Sequence, residues 1–174
     1  MRPAILLAAI LLVFLPAPAS AKGKTVKITI EGGSLRAPIV ITDAQTLAPF
    51  NIWSGPGTSS SQSPNLPSDP DPNVKDYAPS FVVDWSQGMI GEPSPALPRY
   101  KVLFWASNNP GKLAYLVTYV FDPSNKRGYI YLPGQNDDGF LTDTGSVYRE
   151  IEGNWFRAWN AWDKVAAPLL NAVA

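Results

Sequence analysis

Residues 99–134, RYKVLFWASNNPGKLAYLVTYVFDPSNKRGYIYLPG, decide how this chain folds. They read as three consecutive β-strands joined by two turns. Asn109-Pro110-Gly111-Lys112 matches a type II turn, with Pro at the second position and Gly at the third. Asp122-Pro123-Ser124-Asn125 opens the second turn, which closes at Gly128. In the middle strand, Tyr115, Val117, Tyr119 and Phe121 share one face, and Leu116, Thr118 and Val120 share the other. Both faces are largely apolar, which predicts a central strand covered on both sides. Tyr100, Val102 and Phe104 form a similar row on the strand before, and Tyr129 and Tyr131 on the strand after. Loop lengths alone leave open which row lies beside which, because a slip of one residue exchanges the faces. The tyrosines therefore have two readings, a platform for sugar rings or peptide, or a core whose hydroxyls reach its rim.

Towards the N-terminus, Val26, Ile28 and Ile30 alternate with polar residues, as in a half-buried strand. Gly32-Gly33 is a hairpin signal. A two-residue turn there would set Ile30 opposite Leu35, Ile28 opposite Ala37 and Val26 opposite Ile39. Pro38 donates no N–H and favours a sheet edge for the second strand. Thr42 or Asp43 is placed to cap a short helix through Leu47, with Gln45 at capping-box distance from Thr42. Ser54–Ser80 is rich in Ser, Pro and Asp and poor in apolar groups, which predicts a flexible loop. Phe81–Trp85 reads as a short strand.

On the C-terminal side, Gln135–Asp143 reads as a polar loop. Val147–Glu152, Gly153-Asn154 and Trp155–Ala158 read as a tight hairpin with Ile151 opposite Phe156 and Glu150 opposite Arg157. A competing reading runs a helix from Trp155 through Trp159 and Trp162. In either case a helix covers Asn160–Ala167, capped by Asn160 with Asp163 three residues on, until Pro168 ends or kinks it. The expected fold is mainly β: a single-domain antiparallel sandwich or strongly curved sheet of about seven strands, with the C-terminal helix packed on one face.

The first 21 residues have the pattern of a signal peptide. Arg2 precedes an unbroken apolar run, Ala4–Leu15, and small residues Ala19-Ser20-Ala21 follow Pro16 and Pro18. That run falls short of the roughly 20 residues that span a bilayer. Cleavage after Ala21 would leave residues 22–174 as one β-rich domain with no transmembrane anchor. An exported chain with no cysteine has no disulfide to staple it, which points to a bacterial periplasmic or secreted protein.

The 174-residue chain carries 14 basic and 14 acidic residues and no histidine. Such a balance offers no basic stripe for nucleic acid. Without His or Cys, the Ser-His-Asp and Cys-His nucleophile arrangements are excluded, as are histidine and thiolate metal sites. Asp69-Pro70-Asp71-Pro72-Asn73 opens like an EF-hand loop but has Val74 where the turn needs Gly and Ser80 where a bidentate Glu belongs. No metal or cofactor is expected. Asp137, Asp138 and Asp143, with Asp84 or Glu92 as a distant partner, are the carboxylates from which an acidic pocket would be built. Trp53 and Trp85 flank the irregular stretches, where ligand-contacting aromatics tend to sit. The binding candidates are thus Trp53, Trp85, Tyr129, Tyr131, Asp137 and Asp138. The expected role is a non-catalytic module binding a glycan, peptide or envelope component. A carboxylate-dependent enzyme acting on polysaccharide and a structural envelope protein are the alternatives.

Overall fold

The computed structural model describes residues 22–58 and 77–173. The leader, the centre of the Ser54–Ser80 stretch and the Asp69–Asn73 motif lie outside the described residues. Strands β1 (Thr25–Gly32), β2 (Ile39–Ile41), β3 (Met89–Ile90), β4 (Arg99–Ala106), β5 (Leu113–Asp122), β6 (Arg127–Tyr131) and β7 (Trp155–Arg157) form one sheet. Its order is β2-β1-β4-β5-β6-β7-β3, and every neighbouring pair is antiparallel. Helices α1 (Ala44–Leu47), α2 (Phe140–Ser146) and α3 (Asn160–Val173) complete the chain. The architecture is the expected mainly antiparallel one with a C-terminal helix on the sheet, built as a single open sheet with no second sheet facing it among the described residues. Among those residues no helix is long and apolar enough to cross a membrane.

The meander β4-β5-β6 forms as the alternation predicts, and β5 is the middle strand of the seven. Register brings Tyr100 opposite Tyr119, Val102 opposite Val117 and Phe104 opposite Tyr115, while Ile130 lies opposite Tyr119. This row is buried and meets α3, which contributes Trp162, Ala166 and Leu170. Phe50 and Tyr119 each meet the Trp162 ring edge to face, with centroids 5.2 and 5.9 Å away. Asp163 fixes the helix over β6 by accepting from the Tyr119 hydroxyl (2.8 Å) and the Gly128 amide (3.0 Å). A Cβ on Gly128 would collide with that carboxylate, so this approach requires glycine.

Several local expectations give way to long-range packing. The turn at Asn109–Lys112 is closed by a Lys112 N–H bond to the Asn109 carbonyl (3.1 Å), but Gly111 does not adopt a positive φ, so it is not type II. β1 and β2 pair as Ile30 with Ile39 and Ile28 with Ile41, displaced from the two-residue-turn register. The chain runs on past Pro38, which has no N–H for the ladder, before pairing begins. The displacement is an even number of residues, so each side chain keeps its face. Asp43, rather than Thr42, caps α1 by accepting from the Thr46 amide (2.7 Å).

Phe81–Trp85 is not a strand. Phe81 takes φ 58° and a tight turn pairs Ser80 with Val83, so that Phe81, Val82, Val83 and Trp85 all plug the core beneath the sheet. A strand would have turned alternate members of this apolar run away from that core. The expected hairpin at 147–158 also fails: β7 forms, but between β6 and β3, with Phe156 opposite Ile130 and Met89. Residues 147–152 are irregular because Arg149 is drawn into the interior, as described below. The polar stretch after Gly134 contains α2, which lacks an apolar stripe; Leu141 is 83% exposed. Finally, α3 runs through Pro168, and the Trp159 carbonyl takes the Asp163 N–H (3.1 Å), placing Trp159 rather than Asn160 at the cap position.

A candidate ligand-binding groove

The sheet face opposite α3 is only partly covered. Toward β7, Val120, Tyr129 and Trp155 form a small apolar cluster closed by Ile90 and Leu97. On the other side α2 packs beside β5, at the point where β6 has turned away. Pairing of β5 with β6 begins at Thr118 and Tyr131, which leaves the Leu116 N–H without a strand partner. Asp143 of α2 accepts it at 2.7 Å, and Gly139 lies against the Leu116 side chain. On the uncovered part of this face a groove of about 540 Å³ remains, floored by Lys101, Leu116, Thr118 and Tyr131, walled by Asp137 and Asp138 and reaching Glu31 and Gly32 at the end of β1.

Its polar groups are held in place from below. The Tyr131 hydroxyl donates to Asp137 Oδ2 (2.6 Å), and the Gly134 amide donates to the same oxygen (2.8 Å). Burial, and then the adjoining carboxylate, push the Tyr131 hydroxyl up to about 12, so it remains a donor across the physiological range. Lys101 Nζ stands 3.6 Å from Asp138 Oδ2, a solvent-exposed pair worth at most about 1 kcal/mol and easily exchanged for a ligand. Arg99 closes the far side, paired with Glu92 at 2.6 Å and lying 5.2 Å over the Trp155 ring. The Tyr131 and Trp155 rings lie against each other with centroids 5.1 Å apart, tilted by 37°.

The structure thus brings together three of the residues singled out from sequence, Tyr131, Asp137 and Asp138. It separates the others. Trp85 is buried against Phe156, and Tyr129 is covered by the Arg157 guanidinium at 4.5 Å. Trp53 lines a different cavity, beside Lys22 and Lys112. Asp84 caps a short turn through Ser86. Lys101 and Thr118 were not singled out, although the alternation of β4 and β5 already put each on a definite row. What was missing was the register that sets Lys101 opposite Thr118 and Thr118 opposite Tyr131.

Asp143 does not join Asp137 and Asp138. It is fully buried, and its carboxyl is pushed up to about 8, chiefly by burial, against the opposing pull of the Leu116 amide and the Arg149 charge. Arg149 is likewise fully buried. Its guanidinium donates to the carbonyls of Ile52 (2.6 Å), Ser54 (2.9 Å) and Pro56 (2.7 Å) and to the Tyr115 hydroxyl (3.1 Å). This clamp ties residues 52–56 to 149. No group of acidic residues able to hold a metal ion occurs among the described residues. Comparison with family models, with curated proteins and with solved structures returns no match to this chain, so the groove is read from its own geometry.

Proposed function

We propose that this protein is an exported, non-catalytic binding module that takes a neutral glycan chain in the groove lined by Lys101, Thr118, Tyr131, Asp137 and Asp138. The observation carrying this reading is the meeting of a fixed carboxylate (Asp137), an exposed ammonium (Lys101) and a tyrosine ring (Tyr131) on one uncovered patch of sheet. Carboxylate and ammonium accept from and donate to sugar hydroxyls, and the ring offers an apolar face to a pyranose. The mixed signs give no preference for a charged ligand. Cleavage of polysaccharide would call for a carboxyl of raised pKa beside a second carboxylate. The carboxyl with a strongly raised pKa, Asp143, is buried on the inner side of α2, and this weighs against the enzymatic reading.

Titration of the purified protein with neutral cello-, xylo-, malto- and chito-oligosaccharides, followed by tryptophan fluorescence, tests the proposal, since the Trp155 ring lies 5.1 Å from that of Tyr131. At least one series should give a saturable response. Tyr131→Ala and Asp137→Ala should each weaken it by about tenfold or more, equivalent to about 1.4 kcal/mol. A silent panel, or an affinity indifferent to both substitutions, removes the groove as a glycan site.

A further inference from the structure

Among the seven residues of α2 a single side chain is buried, and it is a carboxyl, Asp143. Phe140 is half-buried and Leu141 points to solvent, so no apolar stripe fastens this helix. The chain is rooted in the core on either side, at Leu132 before α2 and at Val147 just after it. The stretch between those anchors can therefore leave β5 without the sheet coming apart. What holds α2 in place is the bond from the Leu116 amide to Asp143 Oδ1, together with Gly139 seated against the Leu116 side chain.

The place where Asp143 sits suits a neutral carboxyl and not a charged one. Its Oδ2 is shut off from solvent and meets no hydrogen-bond partner among the described residues. Three titratable or charged groups act on it: Arg149 and Glu152 from the segment after α2, and Tyr115 from β5. Arg149 commits its guanidinium to the carbonyls of Ile52, Ser54 and Pro56 and to the Tyr115 hydroxyl, with no bond to Asp143. Glu152 opposes a second negative charge, and its own Oε2 is buried and unpartnered. Tyr115 is kept neutral by burial. Burial outweighs the attraction of Arg149, so the Asp143 carboxyl is pushed up to about 8. A carboxylate formed there recovers its solvation only by leaving.

We propose that α2 is a proton-operated latch: with its proton in place the Asp143 carboxyl keeps α2 against β5, and loss of that proton releases α2 and, with it, the adjoining Asp138 from the groove wall. Once in water the carboxyl titrates near 3.9, so opening sets one proton free at any pH between that value and about 8. The opening constant therefore rises about tenfold for each pH unit across this range and levels off above it. The latch is closed most firmly in acid and most weakly in mild alkali. Its bearing on ligand release rests on the groove reading; the movement of α2 does not.

Residue-resolved hydrogen exchange on the free protein between about pH 5 and pH 8 tests this, with each rate taken relative to an unstructured peptide at the same pH. Leu116 and Val117 are neighbours on β5, but the Leu116 amide bonds to Asp143 whereas Val117 lies opposite Val102 of β4. Leu116 and the amides of α2 should be at least tenfold less protected than Val117, and their protection should fall about tenfold per pH unit. In Asp143→Asn, which keeps the acceptor and cannot ionise, the protection of Leu116 and α2 should no longer vary with pH in this way. Leu116 as well protected as Val117, protection in the parent that ignores pH, or a slope that survives Asp143→Asn would each overturn the latch. Should Asp143→Asn not fold, the comparison of Leu116 with Val117 in the parent decides alone.

Discussion

Asp143 stays protonated through much of the neutral range, and the consequence is measurable. The folded carboxyl sits at about 8, whereas an unfolded aspartate titrates near 3.9. Between those values the unfolded chain has released a proton that the folded chain still holds. Stability from this group is therefore full below about pH 4 and declines as pH rises towards 8. An asparagine side chain in its place would keep an acceptor for the Leu116 amide with no charge to suppress. Asp143→Asn should accordingly raise the melting temperature at pH 7, by on the order of 2–4 kcal/mol of stability, and leave it nearly unchanged at pH 4. A variant matching the parent at both pH values would contradict the assignment. Glu152 and Arg149, the charged groups facing Asp143, act in opposite directions and leave burial dominant. Tyr115, buried at the same place, is held well above its ordinary range for the same reason.

At the scale of an element, α3 shows how burial overrides propensity. An interior proline removes one backbone hydrogen bond and crowds the preceding turn, a cost of about 3 kcal/mol. The helix nevertheless continues past Pro168, because Trp162, Ala166 and Leu170 lie on one face and all are buried in the core. Pro168 itself points to solvent. Pro168→Ala should therefore raise the unfolding free energy measured in urea by about 1–3 kcal/mol, once the stiffening effect of proline on the unfolded chain is deducted, and with it the midpoint. No gain would mean that the helix needs a bend there to seat Leu170. Phe81–Trp85 and Val147–Glu152 teach the converse. Each carries the composition of a strand, and each is pulled out of one: the first by the space beneath the sheet, the second by the four hydrogen bonds of the Arg149 guanidinium. Those bonds join residues far apart in the chain, beyond the reach of any local pattern. α2 was illegible for a related reason, since an Asp143 bond to the distant Leu116 amide holds it, not an apolar stripe of its own.

Across the whole molecule the sheet grades from a long, doubly paired centre to short edges. β4 and β5 run for 8 and 10 residues and are bonded on both sides, while the edges β2 and β3 have 3 and 2. Short edge strands limit pairing with other chains. Native-state hydrogen exchange should show the slowest amides at Val102, Val117 and Tyr119, opening only with global unfolding, and fast exchange at Val40 and Met89. Protection spread evenly across all seven strands would refute this gradient. The same layout explains the groove: α3 and the core-filling segments cover one face throughout, whereas α2 and the Ile90–Leu97 segment cover only the two ends of the other.

What the sequence determined by itself follows from local periodicity. Alternation within residues 99–134 set which side chains share a face, and both that meander and the helix at Asn160 formed where the pattern placed them. Even the displaced β1–β2 register preserved the faces, because side chains repeat every two residues. Composition likewise removed the histidine and cysteine chemistries outright. Only the tertiary structure decided which row is core and which is floor, because that depends on what distant segments cover. Tyr119 and Tyr131 have similar strand contexts in sequence. One lies beneath Trp162, the other at the edge of an uncovered patch beside Asp137.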